Sequence, residues 1–357
     1  MTRIRQAAVI AGALILTITQ TGCMQNMRIG SQQVVTGNQA AVSTSTVSGE
    51  AAASTVENAP KTESAASAGT SSNAETTPAA QTVSNAETIS AAAAAAGTAA
   101  SPAAEEVTSE TISWNPGWEY AAFSKINSGT ATLYHAKPTG ARGKVVCINA
   151  GHGTKGGGDV KTQCHPDGTP KVTGGTTEAG ATEAVAVSSG TTMKDGTPEA
   201  VVTLKLALVV KDKLLNAGFD VLMIRESEDV QLDNIARTVI ANNNADCHIA
   251  LHYDSTDWDK GVFYFSVPGN ESYRSMEPVA SHWKEHNALG DAVMTGMQAV
   301  GLKLFEGGSM EMDLTQTSYS TVPSIDLEVG DTASDYSDAT LNVLADGLVL
   351  GLDKFFS

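Results

Sequence analysis

The chain has 357 residues, with 22 basic and 39 acidic side chains and a formal net charge of −17. An acidic surface repels a phosphate backbone, which excludes nucleic acid as a partner. Length alone suggests two or three domains. However, no Phe, Tyr or Trp precedes Trp114, so only about 245 residues can build a core, enough for one sizeable domain and a monomer.

Residues 1–23 read as a signal peptide. Arg3 and Arg5 precede the apolar run AAVIAGALILTI and then Thr21-Gly22-Cys23. A basic head, a short apolar core and small residues before a cut site mark export rather than a membrane span. The ending resembles a bacterial lipobox, although Gln20 stands where the usual pattern has leucine. That resemblance implies lipidation at Cys23 and an anchor on the outer face of the membrane, the alternative being simple secretion to the cell wall. Residues 24–111 are rich in Ala, Ser, Thr and Glu, with SNAET at 72–76 and again at 84–88. Lacking aromatics, they are expected to be a disordered linker. The part from 112 onward holds 18 basic against 31 acidic residues.

Residues 112–143 read as an extension packed on the domain that follows, and 144–357 as the catalytic domain. From 144, strand and helix signals alternate. KVVCINAG is a strand. The segment from Thr197 to Gly218 is a helix, with Thr197 at the N-cap, Pro198 at the first helical position and Gly218 at the C-cap. FDVLMIR, CHIALHYD, GVFYFSV and SIDLEVG are strands; LDNIARTVIANNN, about 278–300 and about 335–356 are helices. This alternation predicts an α/β fold, a mostly parallel twisted sheet flanked by helices on both faces. Residues 155–196 are Gly- and Thr-rich with little periodicity. A loop of that length in a compact domain is usually functional or mobile.

The polar residues fall into place on this plan. His152 follows the first strand in VVCINAGHGT. The glycines beside it do not continue into the Lys-Ser/Thr of a phosphate-binding loop, which leaves a metal ligand. His252 ends CHIALHYD and Glu328 lies near the end of SIDLEVG. Glu199 opens the helix after the long loop. The carboxyl ends of parallel strands and the starts of the following helices share one edge, where such sheets bind ligands. Two histidines and a carboxylate make a catalytic zinc site, and a second carboxylate can move the proton of the attacking water. His152, Glu199 and His252 fit the Zn²⁺ ligands, and Glu328 fits the base.

Blander readings compete. The helix dipole alone favours a glutamate in a first turn, and Glu178 and Glu183 are rivals for the ligand role. His282 and His286 have i,i+4 spacing but no Glu after the first, so a solvated helix face is expected. Arg225 and Arg237 are expected to be structural. Cys147 and Cys247 read as small buried hydrophobes; a disulfide between them is compatible with export, and Cys164 is then left over.

The four motifs in order resemble the zinc-dependent N-acetylmuramoyl-L-alanine amidases of bacterial cell walls, over about 144–356. The residues are Gly151-His152-Gly153 after a hydrophobic run, Glu199 opening a long helix, Arg237 and Ala241-Asn242 before His252, and Pro323 with Glu328 in PSIDLEVGD. The chain departs from the family in Ala-Gly-His-Gly-Thr, in Ala-Leu-His-Tyr-Asp and in the 155–196 insertion. The resemblance implies a single zinc and hydrolysis of the amide between N-acetylmuramic acid and L-alanine in peptidoglycan. A zinc peptidase acting on stem peptides shares the metal site. A catalytically inactive wall-binding module shares the fold, but has no need of Glu328.

Overall fold

The computed structural model describes residues 106–357, so the expectations for the signal peptide, for Cys23 and for most of the linker lie outside the described residues. The elements are β1 (Thr108–Ser113), β2 (Thr130–His135), β3 (Val145–Ala150), β4 (Lys161–Gln163), β5 (Glu183–Val185), α1 (Glu199–Asn216), β6 (Asp220–Met223) and α2 (Asn234–Asn244). They continue with β7 (Cys247–Asp254), β8 (Val262–Ser266), α3 (Glu271–Arg274), α4 (Val279–Ala299), β9 (Leu304–Glu311), α5 (Thr315–Tyr319), β10 (Ser324–Asp331) and α6 (Asp338–Phe355).

Eight strands form one sheet in the order β1-β2-β6-β3-β7-β10-β8-β9. The central strands β6, β3, β7 and β10 run parallel, as do β8 and β9. The pairings β1–β2, β2–β6 and β10–β8 are antiparallel. This is the mostly parallel, helix-flanked α/β sheet expected from the alternation of elements. The central strands are apolar on both faces because both are covered. On one face, Val202, Leu206, Val210 and Leu214 of α1 recur at four-residue spacing and are buried. With Leu289, Val293 and Met297 of α4 and Leu341, Leu348 and Leu352 of α6, they close over Ile148, Ile249, Leu251 and Ile325. On the other face α2 packs Ala236, Ile240 and Ala241 onto Cys147 and Leu222.

Several boundaries differ from expectation. The linker, expected to run to 111, gives way to β1 at Thr108. This edge strand is exposed almost throughout, so it carries no apolar alternation to announce it. The 112–143 segment adds β2 to the sheet and lays Trp114 and Trp118, edge to face at 6.1 Å, beside α2. Strand β9 went unread because LFEGGSME carries two adjacent glycines and a polar pattern. Thr197 does not cap α1: the helix begins at Glu199 after Pro198, without a side-chain cap, and the Thr197 hydroxyl lies 3.1 Å from the Tyr336 hydroxyl. Gly218, just past the helix, has φ +88°, the left-handed conformation that ends helices.

No disulfide joins Cys147 to Cys247; both are free. In the β3–β7 register Cys247 stands beside Val146 and Cys147 beside His248. The two cysteines therefore point to opposite faces, into separate cores. His286 is also not on a solvated face. It is 1% exposed, and its Nδ1 accepts from the Ser324 backbone N–H at 3.0 Å.

The 155–196 segment has structure of its own. Strands β4 and β5 form a small hairpin. Asp313, just after β9, fastens the segment from outside. It is 1% exposed, meets His165 Nε2 at 3.1 Å and Lys171 Nζ at 2.9 Å, and accepts from the backbone N–H groups of Val172 and Thr173. An anchor of this kind is invisible to local periodicity, because its partners lie 140 or more positions apart.

Candidate metal centre and active site

The site lies at the carboxyl ends of β3 and β7, where the chain reverses direction across the sheet. His152 is in the left-handed conformation, φ 62°, which is costly for a residue with a Cβ. Two buried arginines hold the turn in place. Arg237 donates to the carbonyls of Leu232, Ala150 and His152, to Asn149 Oδ1 and to Thr154 Oγ1. Arg225 donates to the carbonyls of Ala150, Gly151 and Ala200. Burial lowers both guanidinium pKa values, to about 9 for Arg237 and about 10 for Arg225. Both stay charged at neutral pH, and their hydrogen bonds hold the backbone of the turn.

Gly151 and Gly190 are required by crowding around the site. A Cβ on Gly151 would overlap the ring of His252, and one on Gly190 would lie 2.7 Å from both Glu199 Oε2 and His152 Cδ2. Backbone therefore passes where side chains cannot, and the three polar groups can close on one point.

His152 Nε2 lies 2.9 Å from Glu199 Oε1. His252 Nδ1 lies 3.1 Å from the same oxygen and 3.0 Å from His152 Nε2. The two rings meet edge to face at 4.6 Å. One donor atom from each of His152, Glu199 and His252 falls within 4.8 Å of the others, as a metal site requires. The remaining valences are fixed. His152 Nδ1 is 2.9 Å from the Ser188 carbonyl, a contact that orients the ring with Nε2 turned inward. Glu199 is 2% exposed and accepts from the backbone N–H groups of Tyr253 and Thr191 at 3.0 and 2.8 Å. Glu178 and Glu183, the rival ligands, are exposed and stand apart from this group.

Charge follows from this packing. Burial opposes ionisation of Glu199, but its contacts with His152 and His252 win and hold the carboxyl well below its usual range. For His252, burial favours the neutral ring, yet Asp326, Glu199 and Glu328 together raise its pKa to about 10.

Glu328 pairs in register with His252 across β10 and β7. It is 9% exposed, and its Oε2 is buried without a hydrogen-bond partner. Burial, then the neighbouring acids Asp326, Glu199 and Asp254, push its carboxyl well above the ordinary value. Asp326 lies two residues earlier on the same face, and sequence reasoning missed it. Its period-2 relation to Glu328 in SIDLEVG was the available signal.

These groups line a cavity of about 630 Å³. Ala184, Val185 and Ser188 from the 155–196 segment form one wall, and Phe265, Met310 and Met312 form another. The long loop is thus part of the site.

Solved structures that resemble the chain include the apo form of the N-acetylmuramyl-L-alanine amidase Ami1 from Mycobacterium abscessus. It is 21% identical with TM-score 0.47, over 60% of this chain and 99% of that one. The corresponding enzyme of Mycobacterium smegmatis is 19% identical with TM-score 0.47, over 60% and 97%. The amidase AmiC2 of Nostoc punctiforme is 19% identical with TM-score 0.43, over 60% and 98%. No curated protein matches the chain. The family model described as N-acetylmuramoyl-L-alanine amidase matches residues 146–342, more than half of the sequence, and the chain belongs to that family of peptidoglycan amide hydrolases.

Proposed function

We propose that the protein is a zinc-dependent amidase that cleaves the bond between N-acetylmuramic acid and L-alanine, with Glu328 as general base. The observation that carries this reading is the meeting of His152, Glu199 and His252 around one point, beside a buried carboxylate that has an oxygen to spare. The donor set fits: two imidazoles and one carboxylate suit Zn²⁺ and leave a coordination position open. When bound, zinc would supply Lewis acidity to the scissile carbonyl and to water. Glu328 takes the proton of the attacking water and returns it to the departing amine. The Ser188 carbonyl holds the His152 ring with Nε2 turned inward, and the Tyr253 and Thr191 amides keep the Glu199 carboxylate turned inward.

The lipobox resemblance at Cys23 supports an exported, membrane-tethered enzyme working on the wall outside the cell. Among the described residues, no helix is long and apolar enough to cross a membrane. Metabolic labelling with a radioactive fatty acid, compared between the parent and Cys23→Ser, checks the anchor.

The deciding experiment is digestion of purified peptidoglycan with and without a zinc chelator. New N-terminal alanine without new reducing sugar, lost on chelation and restored by zinc, is the expected result. New amino groups on other residues would make it a stem-peptide peptidase. Binding without release would make it a wall-binding module.

A further inference from the structure

The two histidines of the metal centre use opposite ring nitrogens. His152 turns Nε2 inward and fixes Nδ1 on the Ser188 carbonyl. His252 turns Nδ1 inward, toward Glu199 and His152, and its Nε2 faces outward. The group that Nε2 faces is Asp326, whose Oδ2 lies 3.7 Å away. Asp326 Oδ1 is buried and has no hydrogen-bond partner. A half-partnered buried carboxylate is costly to stability, so its presence here calls for a purpose. Glu328 does not compete for this nitrogen, since the ion pairs of His252 among the described residues are with Glu199 and Asp326.

We infer that Asp326 is a positioning residue for the metal centre, holding the His252 ring with Nδ1 presented to the ion. The inference rests on the metal-site reading above. Ligating histidines commonly donate the outer ring N–H to a carboxylate, which fixes tautomer and orientation. At 3.7 Å the pair is longer than a hydrogen bond. The carboxylate steers the ring by charge, and a small rotation of either side chain closes the bond. Asp326 and Glu328 then share the face of β10 but divide the work: Asp326 orients a ligand, and Glu328 moves a proton.

The test uses the full chain and three proteins: the parent, Asp326→Leu, which removes the acceptor at similar size, and Asp326→Asn, which keeps an acceptor oxygen. Zinc affinity is measured by competition with a chromogenic chelator, and the d–d spectrum is recorded after cobalt(II) loading. The Leu variant is expected to bind zinc about 10–100-fold more weakly and to show a changed cobalt spectrum. The Asn variant should stay within a few-fold of the parent. Thermal unfolding of the chelated proteins controls for folding, and if the Leu variant fails to fold, Asp326→Ala takes its place. Zinc affinity and cobalt spectrum unchanged in the Leu or Ala variant would overturn the inference alone. A parent that takes up no zinc would overturn the metal-site reading beneath it.

Discussion

Arg237 Nη2 donates to the carbonyl oxygen of His152 at 2.6 Å, across 85 positions of sequence. The same guanidinium reaches Asn149, Ala150, Leu232 and Thr154. Five acceptors around one planar fork hold the left-handed turn that presents His152. Arg237→Lys keeps the charge but has no fork, and would leave buried carbonyls unpaired. The expected loss of stability is about 2–4 kcal/mol, read by urea denaturation, together with a lower zinc content. A variant as stable as the parent would show that the turn does not depend on this residue.

Gly151→Ala places a methyl group within the ring of His252. The ring must move, and a displacement of about 1 Å at a reacting centre can cost on the order of 10²-fold in rate. Peptidoglycan hydrolysis and bound zinc, measured on one preparation, should fall together.

Glu328→Gln separates the base from the ligands. The substitution keeps size and removes the acceptor charge from a group that makes no ion pair with either histidine among the described residues. Turnover should fall about 10²–10⁴-fold, with zinc content unchanged. Full activity in this variant would assign the proton transfer elsewhere, Asp326 being the next carboxylate on the strand.

The pH behaviour of the metal-free protein follows from His252 and Glu328. Both have folded-state pKa values raised above their ordinary ones, His252 from 6.5 to about 10 and Glu328 upward from 4.5. A raised pKa gives stability that is present below the unfolded value and lost as pH rises through the folded value. Glu199 is shifted the other way, and its contribution is lost in acid. The chelated protein should therefore lose thermal stability as pH climbs from 6.5 toward 10. A bound cation replaces the lost proton, so the gap in Tm between zinc-loaded and chelated protein should widen over that window. A constant gap would mean that His252 does not exchange a proton for the metal.

Cys147 and Cys247 are fully buried, and burial pushes both thiols upward in pKa. A thiol reagent should leave both untouched in the native protein and modify both after unfolding, because thiolate is the reactive form. Mild oxidants should not raise Tm, since the two side chains sit on opposite faces of the sheet.

The elements that carry chemistry were legible locally. VVCINAGHG, the helix opened by Glu199, CHIALHYD and SIDLEVG each carry a period or boundary set by neighbours in sequence, and parallel-sheet geometry sends their polar ends to one edge. That sufficed for the α/β class and for the meeting of His152, Glu199, His252 and Glu328 at one edge of the sheet. Tertiary structure alone decided the rest. The period-2 spacing from Glu328 could have singled out Asp326, but that it faces the outer nitrogen of His252 is shown only by the fold. Strand β1 is exposed almost throughout and β9 carries two adjacent glycines, so no clear apolar alternation marks either, and their place is set by pairing with β2 and β8. The 155–196 segment gains its order from Asp313, a single buried carboxylate far along the chain. Local pattern records what a residue buries; which distant group it meets is fixed only when the sheet brings the two together.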